Sequence, residues 1–238
     1  MWLAIETATE RASVAVGRSA ADAVEEDLAG TRRHAAGLLP MIGAALDRAG
    51  ITLDDLTGLA LSDGPGSFTG LRVGASVAKA LVQARGLPLW TAPSLMVRAS
   101  GVAGEGDTVL AVADALRGEV YAAAYRFDPK EVVTLLAPSV YRPEILLGTV
   151  PRPSVLVGEA PAAATAILER WAGCRLVGPP EGVPHARWLI GLVECRGGAA
   201  RVTAVEGWAP EYGRPAEAQA RWEAAHGRPM PDPIGSPR

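Results

Sequence analysis

Residues 64–74 have the composition of a loop that can receive an anion. This segment holds four glycines, which reach positive φ at low cost and let other atoms approach the backbone. Pro65 fixes one torsion angle, and free amides at the start of the following helix could bind an anion or a partner's carboxylate. A tight strand-to-helix connection without a ligand explains the same pattern. The candidate loop residues are Gly64, Gly66, Ser67 and Thr69.

The spacing in this loop does not match the two common phosphate-binding motifs. Leu71 and Arg72 follow Gly70 where a Walker loop requires Lys and then Ser or Thr. The first three glycines also do not fit the G-x-G-x-x-G spacing of a dinucleotide site. No G-x-S-x-G elbow surrounds Ser62 or Ser67, so the sequence gives little support for peptidase or other hydrolase chemistry.

Two acidic residues, one in each half of the chain, end strand-like segments. Glu6 and Asp114 each follow a short apolar run, and a polar turn then leads into a second strand-like segment, 12–16 or 120–125. A carboxylate in such a position can bind magnesium or act as a general base. The alternative for Asp114 is an ion pair with Arg117 or a hydrogen bond that caps the turn.

The same order of strands and helices is predicted twice. Apolar spacing, with glycines after several helices, predicts these first-half elements: strands 2–5, 13–16, 23–28 and 59–61, and helices 35–49 and 71–85. The second half repeats the order with strands 110–113, 120–125, 132–136 and 155–157, and helices 143–147, 161–172 and 184–196. The repetition predicts an α/β protein with duplicated βββαβα halves.

The predicted domains follow from this repeat. Residues 1–105 form the first half, residues 106–215 form the second, and the polar, proline-rich residues 216–238 form a mobile tail. A chain of 238 residues, 49% of them hydrophobic, is long enough to bury a core in two small domains or one large one.

Charge, cysteine content and hydropathy narrow the classes of function. The net charge of −3 gives no general electrostatic footprint for nucleic acid, so a role with RNA would require a partner. Cys174 and Cys195 form no C-x-x-C motif, which predicts a reduced intracellular protein without a cysteine-based zinc site. No apolar stretch approaches membrane length, and the amino terminus lacks a signal-peptide core, so we expect a cytoplasmic protein that binds no membrane.

Several motifs in the first half are shared with one known family. They are Leu-Ala-Ile-Glu-Thr-Ala-Thr-Glu at 3–10, Leu-Pro-Met-Ile at 39–42, the glycine segment 64–74, and Asp114 with Arg-Gly-Glu-Val-Tyr at 117–121. Together they resemble the TsaB family of tRNA threonylcarbamoyladenosine biosynthesis, over roughly residues 1 to 125. Near the end, residues 210–214 are similar to the family's Pro-x-Tyr-Leu-Arg ending, from which Gly213 departs.

The resemblance implies both a fold and a function. The fold is that shared by actin, sugar kinases and the heat-shock ATPases, with two halves facing each other across a cleft. The function is that of a non-catalytic scaffold that activates TsaD, the related subunit that transfers threonylcarbamoyl to the tRNA adenosine beside the anticodon. Through TsaD the chain would also cooperate with TsaE, a small ATPase, and with tRNA. Without TsaD, the resemblance implies a homodimer.

By this resemblance, two first-half helices form the surface for TsaD. Their apolar and small residues, with a rim of basic side chains, give the predicted partner interface: Arg33, His34, Leu38, Ile42, Gly70, Arg72, Val73, Gly74, Val77 and Leu81. The same residues could instead pack only against the sheet of this chain. We expect no cofactor of its own, although a nucleotide at the shared interface is a candidate ligand.

The sequence gives little sign of chemistry carried out by this chain itself. By the resemblance, TsaD binds its metal with two histidines at i and i+4, which lie on one helix face. This chain has His34 but Leu38 four residues later, so we predict no metal site and no catalytic residues. In the related kinases, small residues follow the second acidic position, whereas Asp114 is followed by Ala-Leu-Arg. Glu6 and Asp114 are therefore interpreted as vestigial, with an ATP-dependent small-molecule phosphotransferase as the alternative.

Overall fold

Two mixed β-sheets with helices on their faces make up the computed structural model, which describes residues 1–30, 34–213 and 226–227. The elements of the first half are β1 Trp2–Glu6, β2 Arg11–Gly17, β3 Val24–Ala29, α1 His34–Ala49, β4 Gly58–Ser62, α2 Phe68–Arg85, β5 Leu89–Ala92 and α3 Ser94–Ser100. The elements of the second half are β6 Thr108–Asp114, β7 Val120–Asp128, β8 Glu131–Tyr141, α4 Pro143–Thr149, β9 Val155–Gly158, α5 Ala162–Ala172, β10 Leu176–Val177, α6 Ala186–Glu194 and β11 Ala200–Val202.

The duplicated α/β fold is confirmed, and further elements follow each βββαβα unit. Each βββαβα unit continues with a further strand and helix, β5 with α3 and β10 with α6. Sequence reasoning missed β5, α3, β10 and β11. Helix α2 also begins at Phe68 and not at Leu71, because the Ser67 side chain accepts a hydrogen bond from the Gly70 amide and caps it there.

The two sheets place their first strands in the same way. Their strand orders are β11-β5-β4-β1-β2-β3 and β10-β9-β6-β7-β8. Strand β1 pairs antiparallel with β2 and parallel with β4, while β6 pairs antiparallel with β7 and parallel with β9. Glu6 and Asp114 therefore end equivalent central strands.

One helix of each half packs against the sheet of the other half. Helix α3 packs against β6 and β7, and α6 packs against β1, β2 and β4. Residues 94–99 of α3 are all buried, because this short helix lies in the apolar core between the sheets. Strand β11 also returns to pair with β5. The predicted division at residue 105 stays a prediction, and packing joins the two halves across it.

The outer faces of the sheets are covered by the remaining helices. Helices α1 and α2 pack beside each other over the first sheet, while α4 and α5 cover the second. No helix in the described part of the chain is long and apolar enough to cross a bilayer. The predicted tail, 216–238, lies outside the described residues except for 226–227.

Candidate functional site

The glycine loop is packed tightly against its own chain. Gly64 has φ +107°, and a Cβ there would collide with the carbonyl oxygen of Glu211. A Cβ on Gly66 would collide with the carbonyl of Ala8, which also accepts the Ser67 amide at 2.7 Å. These glycines are thus required by the approach of two other backbone segments.

The four predicted loop residues lie in different environments. Gly66 and Ser67 line a central cleft, whereas Gly64 is buried. The Ser67 hydroxyl accepts the Gly70 amide at 3.2 Å, so it caps α2 from within its own chain. Thr69 is exposed in the first turn of α2. The loop residues therefore do not form one common cradle.

The cleft between the two halves has a volume of about 1020 Å³. The first half contributes the turn after β1 and the glycine loop, and the second half contributes the ends of β6 and β9. Its lining is mixed in charge and includes Glu10, Arg11, Arg98, Asp114 and Glu159. This volume lies just above the usual range of small-molecule sites, about 300–1,000 Å³.

Glu6 lies beneath the cleft and not in its lining. Its side chain is fully buried, and its Oε1 accepts the Ala8 amide at 2.6 Å. Burial raises the pKa of Glu6 to about 7, although the Ala8 amide, the Ser62 hydroxyl and the Arg98 charge each lower it in part. A carboxyl that is half protonated near neutral pH and shielded from solvent is a poor ligand for magnesium.

Asp114 occupies the equivalent strand end but is exposed to the cleft. Its Oδ1 accepts the Leu116 amide at 2.7 Å, which is the turn-capping geometry. Leu116 and Arg117 have φ of +63° and +54°, so two residues with side chains adopt the left-handed region in succession. The Leu116 side chain is 62% exposed at the cleft, so the turn presents a bulky apolar group there.

Arg98, which sequence reasoning missed, lowers the pKa of Glu6 by its charge and contacts β6 and the residue after β9. Its side chain is only 3% exposed, and Nη1 donates to the Val112 carbonyl at 3.3 Å. Nη2 lies 3.8 Å from a Glu159 carboxylate oxygen. The signal available in the sequence was a single charge inside the apolar run 94–99, which an inward-facing arginine explains when a partner charge is near.

The predicted partner residues divide into buried and accessible groups. Leu38, Ile42, Gly70 and Gly74 are buried in this chain, and a Cβ on Gly74 would collide with the Thr7 side chain. Val73, Val77 and Leu81 pack only partly against the core, and Arg72 is exposed. Arg33 lies outside the described residues, as does the side chain of His34, whose backbone begins α1.

One exposed residue of α1 was not singled out from the sequence. Leu39 is 59% exposed, and its neighbour Leu38 is buried. A helix can turn only one of two adjacent leucines toward the sheet, so the paired leucines were the available signal. Among the described residues, no three His, Cys, Asp or Glu side chains come together as a metal site would require.

Two duplicated halves around a cleft, with equivalent central strands, define the actin-like class of α/β proteins. Residues 28–167, more than half of the chain, match the family model described as TsaD: tRNA N6-adenosine threonylcarbamoyltransferase. The chain belongs to this family, and its curated relatives place it among the TsaB proteins. The resemblance seen in the sequence motifs is thereby confirmed.

Two curated relatives carry the name "tRNA threonylcarbamoyladenosine biosynthesis protein TsaB". The Escherichia coli K12 protein is 41% identical over 128 residues, which cover 53% of this chain and 55% of that protein. The Haemophilus influenzae protein is 38% identical over 121 residues, covering 50% and 51%. The chain thus spans about half the length of the curated relatives it matches.

A solved structure extends the likeness along most of the chain. A Pseudomonas aeruginosa protein, titled an uncharacterized protein with similarity to the peptidase YeaZ, has a TM-score of 0.73 and 28% identity. The match covers 90% of this chain and 99% of that one. The fold therefore agrees beyond the region where the sequence relatives align.

Proposed function

We propose that this chain is a non-catalytic subunit of the machinery that forms threonylcarbamoyladenosine in tRNA. It pairs with a TsaD-type transferase and supports transfer to the adenosine beside the anticodon. The observation that carries this proposal is the outward face of α1, which is exposed and nearly free of charge. The names of the curated TsaB relatives support the pathway.

The outward face of α1 has the composition of an interface. The helix carries no charged residue between positions 35 and 46, and its exposed positions there are Ala36, Leu39, Pro40, Gly43 and Ala44. A solvated helix face normally presents charged and polar side chains. Beside it, Val73, Val77 and Leu81 of α2 remain partly accessible. A partner's helices on this α1–α2 face would bury about 1,200–2,000 Å² in total.

The cleft supports the non-catalytic part of the proposal. Glu6, which would hold magnesium in a phosphotransferase, is sealed beneath the cleft with a raised pKa. The glycine loop is occupied by Ala8 and Glu211 of its own chain, and the turn after Asp114 presents Leu116. Phosphate oxygens need small residues and open amides to approach the backbone. We therefore assign the transfer reaction to the TsaD-type partner.

The other interactions that we propose, with an ATPase, tRNA and a nucleotide, depend on the TsaD-type partner. Contact with a TsaE-type ATPase and with tRNA would be made through the TsaD-type subunit. A nucleotide, if one is used, would lie at the shared interface. In the absence of the transferase, the α1–α2 face would pair with a second copy of this chain, since its apolar area favours burial.

The test changes Leu39, because its side chain is exposed and its replacement should leave the fold intact. Leu39→Glu should weaken the complex with a purified TsaD-type subunit at least about tenfold, because a carboxylate would be buried without a partner. Ile145→Glu on α4 is the matched control, since Ile145 is 54% exposed on the second half. Titration calorimetry measures both. Equal affinity for the two variants would refute the proposed surface.

A second candidate function is an ATP-dependent phosphotransferase of the same fold. It is favoured by the volume of the cleft and by the exposure of Asp114 within it. Calorimetry with ATP and magnesium tests it on the isolated chain. Tight binding that Asp114→Ala abolishes would favour the phosphotransferase, and absence of binding would leave the scaffold as the function.

A further inference from the structure

A groove lies between α2 and the segment that follows β11. It has a volume of about 410 Å³, and we call it the α2 groove. Its walls are formed by residues of α2 and by residues that follow β11: Arg72, Ala75, Ser76, Lys79, Trp208, Ala209, Pro210 and Tyr212. Because 3.6 residues make one helical turn, Arg72 and Lys79 lie on the opposite flank of α2 from Val77, which packs against the core of the first half. The groove is thus separate from the α1–α2 face but adjoins its edge.

Cations alternate with aromatic rings along the groove. The guanidinium carbon of Arg72 lies 4.6 Å from the centre of the Phe68 ring, which in turn lies 4.7 Å from the ring of Tyr212. Lys79 Nζ lies 5.8 Å from the centre of the Trp208 ring and donates to the Glu206 carbonyl at 3.2 Å. These contacts hold both charged groups in place before any ligand arrives.

The charge of the groove differs from that of the whole chain. None of the described residues that line it is acidic, and helix α2 carries Arg72, Lys79 and Arg85 but no carboxylate. Neither Arg72 nor Lys79 forms an ion pair within the described part of the chain, whereas Arg85 pairs with Asp54. A local surplus of two positive charges therefore faces the groove of a protein whose net charge is −3.

We propose that the α2 groove binds single-stranded RNA. Arg72 and Lys79 contact phosphates, and the partly exposed rings of Tyr212 and Trp208 offer stacking surfaces for bases. Cations next to aromatic faces, without carboxylates, are the arrangement that binds single strands with little sequence preference. The inference rests on the proposed function, because two cations alone bind RNA weakly and need a partner to bring it. RNA held by a transferase on the α1–α2 face could reach the adjoining groove.

The experiment measures binding of a fluorescent, unmodified tRNA transcript to the chain with its TsaD-type partner, over a range of salt concentrations. The double variant Arg72→Glu, Lys79→Glu should weaken binding at least about tenfold. It should also make the slope of log affinity against log salt shallower by about 1.4, because each phosphate contact on a single strand contributes about 0.7. The matched control is Arg170→Glu, Arg175→Glu, which changes the charge equally on and just after α5.

Two further measurements test the proposal: the oligomeric state of each variant with the partner, and the binding of a Tyr212 variant. Size-exclusion chromatography of each variant with the partner shows whether the heterodimer persists. If the groove variant loses the heterodimer, the groove recognises an acidic protein segment and the RNA proposal is overturned. Equal salt slopes for the wild type and the groove variant overturn it as well. Tyr212→Leu, which keeps all charges, should weaken binding about tenfold with an unchanged slope, and retained affinity there removes the stacking role.

Failure of the proposed function would look different from failure of this inference. If no TsaD-type complex forms with the wild-type chain, the same titration is run on the chain alone with a single-stranded 12-nucleotide RNA. A shallower slope for the Arg72 and Lys79 variant would then still support the groove. Identical binding by this variant and the wild type would refute it.

Discussion

Glu6 and Asp114 end equivalent strands of the two halves, yet their surroundings differ completely. The Glu6 carboxyl is sealed, with the Ala8 amide bound to it and the Arg98 charge nearby. Asp114 is exposed and caps its own turn. Duplication therefore sets where an acidic residue stands, whereas packing from distant segments decides its chemistry.

The covering of Glu6 explains the difference. Helix α6 begins directly over β2, where the Ala186 amide donates to the Ser13 hydroxyl at 2.8 Å, and Ser13 is the register partner of Glu6. Arg98 arrives from α3, and the glycine loop contacts the Ala8 turn. The end of β6 instead opens onto the cleft. The two acidic strand ends therefore differ in their access to the cleft.

The largest expected effect is that of alanine at Gly64, in the loop after β4, compared with alanine at Gly118, in the turn after β6. Gly64→Ala should reduce the free energy of unfolding by more than about 3 kcal/mol, because a Cβ there meets the Glu211 carbonyl at φ +107°. Gly118→Ala also imposes positive φ, +79°, but no atom lies within 4 Å, so the cost should be about 1 kcal/mol. Urea denaturation of both variants measures the difference. Equal losses of unfolding free energy in the two variants would mean that the close contact between Gly64 and Glu211 adds no cost to the substitution.

The pH dependence of stability should separate the two carboxyls. The pKa of Glu6 is raised from 4.5 to about 7, so the folded chain keeps a proton that the unfolded chain releases. The resulting stabilisation is complete below pH 4.5 and is lost as the pH rises through 7, roughly 3 kcal/mol in total. Glu6→Gln should remove most of this loss in urea unfolding between pH 5 and 8.

Asp114→Asn is the control for the pH experiment, because Asp114 is exposed and keeps its turn. This variant should keep the loss of stability that Glu6 causes between pH 5 and 8. Asp63, whose pKa burial raises to about 6, adds a smaller slope of the same sign to every variant. A Glu6→Gln profile parallel to the wild type would show that Glu6 is ionised in the folded chain at all these pH values.

The smallest expected effect concerns the turn after Asp114. Leu116→Gly should raise the free energy of unfolding by up to about 1 kcal/mol, because glycine accepts φ +63° without the steric cost that leucine meets. Thermal unfolding measures it, with Leu147→Gly on α4 as a control that should destabilise, since it places glycine in a helix. A destabilised Leu116→Gly would instead show that the exposed leucine makes contacts that outweigh the backbone strain.

Local patterns were sufficient for much of the fold. Apolar alternation and helical spacing predicted β1, α1 and α5 close to their observed bounds, and Gly86 and Gly173 end helices with left-handed φ, as helix-ending glycines do. Helix α3 was not predicted because residues 94–99 are buried on every side of this short helix, so they lack the one-sided pattern of a surface helix. Because α3 was not predicted, Arg98, the buried charge beside the cleft, was not predicted either.

The candidate site was predicted less completely for a related reason. Leu38 and Ile42 have the same apolar character as an interface residue, and only the position of the sheet beneath α1 shows that they are buried while Leu39 is exposed. Gly213, which departs from the ending typical of the family, has φ +73°, and a Cβ there would approach the Tyr121 ring. That neighbour lies more than ninety positions away in the sequence.

By itself, the sequence determined the class of this protein: two repeated α/β halves, a glycine loop that must be tight, and motifs shared with TsaB. These features depend on neighbours within a few residues, where backbone sterics and apolar spacing decide the structure. Only the tertiary structure decided that Glu6 is sealed, that Asp114 is open, and that Arg72 and Lys79 share a groove with Trp208 and Tyr212. Burial and charge pairing depend on segments far apart in the chain, which local patterns do not specify.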